Sequence, residues 1–447
     1  MSARYLAYKI LFDIEVNGNY SNMALNKYLN EAGLDDQDKG FVTELVYGII
    51  EKKRYLDYMI NKVSKIKVRK MQHPVKLVLR MGAYQLVYMD GVADYAAINE
   101  SVNIMKKLDK RSASFVNAVL RNISRNLDEV KDIRLNTVDK LAIYYSYENW
   151  IVENLVKEYG FERTEAILRG LSQKPNIYLR VNRTKLRPGQ SMDYLVGQII
   201  GRLIDQGLEA SRVEGLEEAI KVKGLKSIDK HPLFREGYVS VQDISSILVA
   251  KVMDPKRESR VLDLCAAPGG KSTHIGELME NTGHLISQDI FDHKIKLMNT
   301  YARRLGLNNM EARLGDALVL NDDYIGKFDY VLCDVPCSGM GIVRRKPEIK
   351  YKKEEEVLNL PDLQYQILEN ASSYLKEGGI LIYSTCTIFK QENTDVVDRF
   401  LNNHKDYELD DLGPIKEFLG IGDKGLVKIL PDRYEMDGFF ISRMKKI

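Results

Sequence analysis

Four cysteines occur in 447 residues, and three of them fall in two short stretches, CDVPCSGMG (Cys333 to Gly341) and YSTCT (Tyr383 to Thr387). The fourth, Cys265, lies in a glycine-rich stretch, DLCAAPGGKS (Asp263 to Ser272). So few cysteines in so long a chain do not make a disulfide framework, and a reducing compartment leaves them as thiols. They are free for chemistry, or are small core residues.

DLCAAPGGKS follows an apolar run and opens a helical pattern, where backbone N–H groups and a helix N-terminus can receive an anionic group. A P-loop requires GxxxxGK[ST]; Gly270, Lys271 and Ser272 supply the end, but the first glycine falls on Cys265. A dinucleotide fingerprint requires GxGxxG, which Ala267, Pro268, Gly269 and Gly270 do not provide. S-adenosylmethionine suits the turn better, because it has no pyrophosphate to cradle. It asks for an acid at the end of the next strand to accept the ribose hydroxyls, and Asp289, in HLISQDI, stands there. Asp316, in LGDA, is placed to meet the adenine amino group. Either acid alone could simply cap a helix.

A methyl donor beside thiols has a specific use. Carbon 5 of a pyrimidine is too poor a nucleophile to accept a methyl group directly. Addition of a thiolate to C6 makes C5 enamine-like, and loss of the C5 proton and then of the thiol restores aromaticity. A thiol with a pKa of about 8.5 needs local positive charge or a helix terminus to become an efficient nucleophile. Asp334 could hydrogen-bond the cytosine ring and assist protonation at N3. Methylation of an amino group needs no thiol, only a polar clamp such as DPPY, and here that place reads DVPC (Asp334 to Cys337).

The elements that must position these groups follow from periodicity. Beyond Asp254-Pro255, β-rich runs alternate with helical ones: RVLDLCA, KSTHIGELME, HLISQDI, KIKLMNTYARRLG, MEARLGDA, FDYVLCDVP, LPDLQYQILENASSYL and ILIYSTCTI. That alternation predicts an α/β domain over residues 256–447, a doubly wound parallel sheet of Rossmann-like type. LVKILP and DGFFISRMKK add an antiparallel edge hairpin. Carboxyl ends of parallel strands share one rim, so Cys337, Asp334 and Cys386, on the fourth and fifth strands, should converge beside the glycine turn. Cys333 reads as a small buried side chain within its strand, and Cys265 as lining the turn through its backbone.

Upstream, residues 1–127 carry apolar residues at helical spacing, as in YLAYKILFDI and SASFVNAVLRNI, and predict an all-α domain. Within it, Lys52 to Arg80 holds ten Lys or Arg residues against one acid, Asp57, a face that suits a phosphate backbone or, equally, solvent. Residues 128–255 mix helical runs with IYLRVN and GYVSVQDIS and predict a small α+β module, in which Arg180, Asn182 and Arg183 could touch RNA or lie on an ordinary strand surface. The net charge of +3 does not by itself imply nucleic acid. No run of 18 apolar residues exists, and the start lacks a signal-peptide core, which points to the cytosol.

DLCAAPGGK, DVPCSG and YSTCT, in that order, resemble the RNA cytosine-C5 methyltransferases. LRMGAYQLVYMDGVADYAAINESVNIMKK and SFVNAVLRNI resemble NusB, a small helical RNA-binding protein, and narrow the resemblance to the RsmB (Fmu/Sun) type acting on 16S ribosomal RNA. The resemblance implies Cys386 as the nucleophile and Cys337 as the residue that assists adduct breakdown. It implies that Cys265, Ala266, Ala267, Pro268, Gly269, Gly270 and Lys271, with Asp289, Asp316 and Asp334, hold S-adenosylmethionine, and that no metal is needed. GMGIVRRKPEIKY, after Cys337, reads as a basic loop suited to RNA phosphates. A cytoplasmic monomer acting on 16S ribosomal RNA before full subunit assembly is expected, on a base that leaves its stack. Two rival readings are a noncatalytic RNA-binding assembly factor, which would not need the thiol pair, and an enzyme acting on DNA.

Overall fold

A computed structural model describes residues 2–19, 21–225, 228–413, 415–421 and 425–447. The chain forms two compact units, one of residues 1–172 with 345–354, the other of 173–344 with 355–447.

The first unit is helical. Its helix Ala113–Arg125 shows why: Val116, Val119, Leu120 and Ile123 recur at helical spacing and are all buried. Asp35 caps the long helix Asp36–Val63 through the Asp38 N–H. Helix His73–Tyr88 is apolar on most sides and lies in the middle of the core, where the guanidinium of Arg80 is paired with Asp57 and Glu15.

Residues 345–354 complete this unit. Tyr351 donates its hydroxyl to the Ile50 carbonyl at 2.6 Å, Trp150 donates its indole N–H to the Lys352 carbonyl at 2.9 Å, and Ser21 donates to Glu348 at 3.0 Å. Lys350 is wholly buried; its Nζ donates to the Tyr145 carbonyl at 3.2 Å and sits over the Tyr147 ring. Burial, with Lys52 nearby, pulls its pKa down to about 7 against the pull of Glu51. Of the basic loop expected here, two cations are unavailable: Lys350 is spent in a core, and Arg344, in the second unit, is buried against Asp437 at 3.1 Å, whereas Lys346 stays exposed.

The second unit contains two sheets. The smaller one holds β1 (Ile177–Val181), β2 (Glu209–Val213), β3 (Leu216–Lys223) and β4 (Val239–Val241) in the order β2-β3-β1-β4, all antiparallel. The larger one holds β5 (Arg260–Asp263), β6 (His284–Asp289), β7 (Met310–Leu314), β8 (Phe328–Asp334), β9 (Leu375–Thr385), β10 (Tyr407–Leu409), β11 (Leu426–Ile429) and β12 (Phe439–Lys446). Its order is β10-β12-β9-β8-β5-β6-β7, with β11 also on β12. Strands β5 to β9 are parallel and covered on both faces, which is why β8 and β9 read as continuous apolar runs rather than alternating ones. The order reverses between β5 and β8, so the crevice that such sheets use for ligands opens at their carboxyl ends. The tail hairpin β11/β12 forms at this end of the sheet: β12 pairs antiparallel with β9, and β10 and β11 divide its other side. Among the described residues no helix is long and apolar enough to cross a membrane.

Two residues read as possible RNA contacts are interior. Arg180, on β1, and Asn182 are fully buried. Asn182 donates to the carbonyls of Gly237 and Leu305, both at 2.9 Å, and so ties the small sheet to the helix Asp292–Leu305. Arg183 remains partly exposed and is paired with Glu217.

Candidate active site

Strand β5 ends at Asp263, and the chain turns through Leu264 to Gly269 into the helix Gly270–Leu278. The turn is held by the Ala266 N–H on the Gln288 carbonyl at 2.8 Å and the Gly269 N–H on the Ala266 carbonyl at 2.7 Å. Gly269 has φ +101° and lies against Met298, where an added Cβ would come within 3.3 Å of Cγ, so both conformation and space call for glycine. Ser272 donates to Asp263 Oδ2 at 2.6 Å, while Oδ1 of that buried carboxyl has no protein partner. Burial raises the Asp263 pKa to about 7 against the Ser272 hydrogen bond, with Asp334 adding to the rise.

The acids lie along the same rim. Asp289, at the end of β6, accepts from the Ala267 N–H at 3.3 Å and the Phe291 N–H at 3.2 Å, with Lys294 at 3.4 Å. Asp316 follows β7, accepts from the Leu318 N–H at 2.9 Å, and is joined to Asp289 through the Gly315 N–H on the Asp289 carbonyl. Asp334 ends β8 and has both oxygens engaged: Lys271 Nζ at 2.6 Å and Ser384 Oγ at 2.7 Å.

Cys337 and Cys386 meet. Their sulfurs are 3.0 Å apart, and both are free thiols. β8 and β9 are adjacent with Asp334 opposite Ser384, so the loops that follow them leave the sheet side by side. These loops are laced together by the Ser338–Thr387 hydroxyl pair at 2.7 Å and by the Gly341 N–H on the Cys386 carbonyl at 2.9 Å. Gly341 also receives the Gly438 N–H on its carbonyl, and an added Cβ there would come within 1.9 Å of the Gly438 oxygen.

The electrostatics of the two sulfurs differ. The hydrogen bond to Cys386, then burial, then the charges of Cys386, Glu392 and Asp334 push the Cys337 thiol well above its usual range. Glu392 is buried and accepts from the Ser338 N–H at 2.8 Å, one residue from that sulfur. Cys386 lies within electrostatic reach of Lys271, which is itself paired with Asp334. Burial lowers the Lys271 pKa, but Asp334 and the Cys386 sulfur outweigh it, and the net shift is upward, so the ammonium is retained. Burial, reinforced by Asp263, Asp334 and Asp289, keeps Cys265 protonated, and Cys333, buried in β8, is likewise held as a thiol.

The rim therefore brings together the glycine turn, Lys271, Asp334, Cys337 and Cys386, with Asp289 and Asp316 along it on the β6–β7 side. Sequence reasoning missed Asp263, Ser384 and Glu392. Ser384 stands two residues before Cys386, a spacing that in extended chain puts both side chains on one face. Glu392 had no local signal.

Comparison with known proteins bears on this arrangement. A family profile described as 16S rRNA methyltransferase RsmB/F matches residues 250–445, a NusB family profile residues 1–125, and an RsmF/B-like ferredoxin-like domain profile residues 147–229. The probable ribosomal RNA small subunit methyltransferase B of Bacillus subtilis is 40% identical, covering 100% of this chain and 99% of the relative. The ribosomal RNA small subunit methyltransferase B of Shewanella oneidensis is 32% identical, covering 100% and 99%. Among solved structures, PH0851 matches with a TM-score of 0.79 at 25% identity, covering 100% of this chain and 98% of the other. A methyltransferase homolog protein from Pyrococcus horikoshii matches with a TM-score of 0.59 at 25% identity, covering 70% and 99%.

Proposed function

The chain belongs to the 16S rRNA methyltransferase RsmB/F family, and from that premise we propose that it methylates carbon 5 of a cytosine in 16S ribosomal RNA, using S-adenosylmethionine and a transient bond between Cys386 and C6. The observation that carries this reading is the 3.0 Å approach of Cys337 and Cys386 at the rim that also holds Lys271 and Asp334. A methyltransferase acting on an amino group has no use for two converging thiols.

The donor set at the rim fits S-adenosylmethionine. Asp289 spends its oxygens on two backbone N–H groups and a lysine, and a carboxylate with about four lone-pair sites retains capacity for ribose hydroxyls. Cys265 through Lys271 would form the turn around the methionine end, Asp316 would meet the adenine amino group, and Asp334 would close the site. When bound, S-adenosylmethionine supplies an electrophilic methyl group.

The protein's own groups then divide the work. Cys386, within electrostatic reach of the Lys271 ammonium, adds to C6 as thiolate. Asp334 hydrogen-bonds the ring and assists protonation at N3 as electrons move onto it. After C5 gains its methyl group, solvent water takes the C5 proton, the freed pair closes C5=C6 as the C6–S bond breaks, Cys386 leaves as thiolate, and N3 returns its proton to Asp334. Cys337, kept as a thiol beside Glu392, assists that breakdown and the release of RNA. Attack on a ring face requires a base out of its stack, so partly unfolded RNA is the expected substrate.

The helical unit is proposed to hold the RNA backbone. A cleft of about 450 Å³ there is lined by Lys67, Arg69, Lys76 and Arg80 with Asp57 and Asn61. Arg80 is committed to Asp57 and Glu15, and Lys67 donates to the Asn61 carbonyl at 3.1 Å, which leaves Arg69 and Lys76 as the cations proposed to meet a phosphate.

The test is transfer of labelled methyl groups to protein-free 16S RNA, followed by bisulfite mapping. Label resistant to bisulfite at one cytosine is expected. Label on an exocyclic amine, or preferential transfer to DNA in competition, would overturn the reading.

A further inference from the structure

Arg180 is the largest fully buried side chain of the second unit, and it comes from the small sheet rather than the large one. All five of its N–H donors are used. Nε and Nη2 grip the Glu277 carboxylate at 3.1 and 2.7 Å, and Nη2 also reaches Thr273 Oγ1 at 3.2 Å. Nη1 donates to the Gly270 carbonyl at 2.8 Å and to Gln242 Oε1. Gly270, Thr273 and Glu277 are spaced by three and four residues, so they form one face of the helix Gly270–Leu278. From elsewhere on the same helix, Ser272 bonds Asp263 and Lys271 bonds Asp334, at the ends of β5 and β8. The first turn of this helix is thus pinned to the large sheet through Lys271 and Ser272 and to the small sheet through Arg180.

We propose that Arg180 is a positioning residue for the cofactor: its guanidinium fork, inserted from the small sheet, sets the glycine turn and the Gly270–Leu278 helix in the pose that binds S-adenosylmethionine. The small antiparallel sheet thereby serves the cofactor site directly, whatever it does toward RNA. A lysine cannot reproduce this, because its three donors lack the planar fork that reaches a backbone carbonyl, a hydroxyl and a carboxylate together. The proposal rests on the rim being the S-adenosylmethionine site.

The test measures S-adenosylmethionine affinity of the full chain by calorimetry without RNA, alongside the melting temperature. Arg180→Met should weaken binding by about tenfold or more, and Arg180→Lys by an intermediate amount. The double variant Arg180→Met/Glu277→Met removes the buried pair as a unit, and such replacements often restore or raise stability. It should melt near the wild type while still binding weakly, because the grip on Gly270 is gone. Arg183→Ala, a partly exposed neighbour, should bind as the wild type does. Wild-type affinity in the folded single variant, or affinity that returns together with the melting temperature in the double variant, overturns the proposal. Failure of the wild-type chain to bind S-adenosylmethionine overturns the cofactor reading instead.

Discussion

Lys271 Nζ lies 2.6 Å from Asp334 Oδ2, which joins the first turn after β5 to the end of β8 across the place where the strand order reverses. The pair is largely buried, and its cation also feels the Cys386 sulfur. Replacing Lys271 with methionine should leave Asp334 uncompensated and the Cys386 thiolate less favoured. The pH midpoint for alkylation of Cys386, followed by mass spectrometry without cofactor, should rise by about one unit or more. An unchanged midpoint would remove Lys271 from the activation of this sulfur.

The two thiols should fail differently. Cys386→Ala is expected to abolish methyl transfer, since the sulfur proposed to add to C6 is gone. Cys337→Ala should retain attack but slow release, and a denaturant-resistant protein–RNA band should accumulate on a gel. Normal turnover in the first variant, or clean product release in the second, would reverse the assignment.

Gly341→Ala should impair chemistry more than cofactor binding. The new methyl would meet the Gly438 oxygen at 1.9 Å and the Cys386 oxygen at 2.9 Å, and backbone cannot yield as a flexible side-chain tip does. A loss of roughly 1–3 kcal/mol in stability is expected from the forced shift. kcat should fall because the Cys337 loop is displaced from Cys386, while S-adenosylmethionine affinity stays close to that of the wild type.

Acid should expose a buried histidine. Burial, with Arg180 nearby, lowers the His274 pKa from 6.5 to about 4 against the pull of Glu218. Between those values the unfolded chain binds the proton that the folded one refuses, so stability is complete above pH 6.5 and falls down to pH 4. Glu218 is driven the other way from its burial, to about 2, by His274, 3.4 Å away, and by Lys251, so its share is lost only as pH falls from 4.5 toward 2. Between pH 6.5 and 4, the wild type should lose up to roughly 3 kcal/mol more than His274→Gln. Parallel melting curves for the two proteins across that range would contradict this.

Much of the α/β architecture was legible because fully covered parallel strands leave unbroken apolar runs, as in YVLC and ILIY, and because the motifs sit where those runs end. That adjacency was enough to foresee Cys337 beside Cys386. What could not be foreseen depends on partners distant in sequence. Arg180 and Lys350 look like surface charge until the carboxylate, carbonyls and aromatic ring that enclose them are known. The hairpin of β2 and β3 escaped notice because EASRV and LEEAIKVK are rich in charge on their exposed faces. β10 escaped notice because nothing in YEL at 407–409 announces a strand of three residues.

Residues 345–354 have a consequence for synthesis. The helical unit's last stretch of contiguous chain ends at Ser172, yet Tyr351, Lys350 and Glu348 fill places within it that stay vacant until some 170 further residues have left the ribosome. The nascent amino-terminal portion must wait, partly open, through translation of both sheets' leading strands, and its final closure is a late, long-range event rather than an early local one.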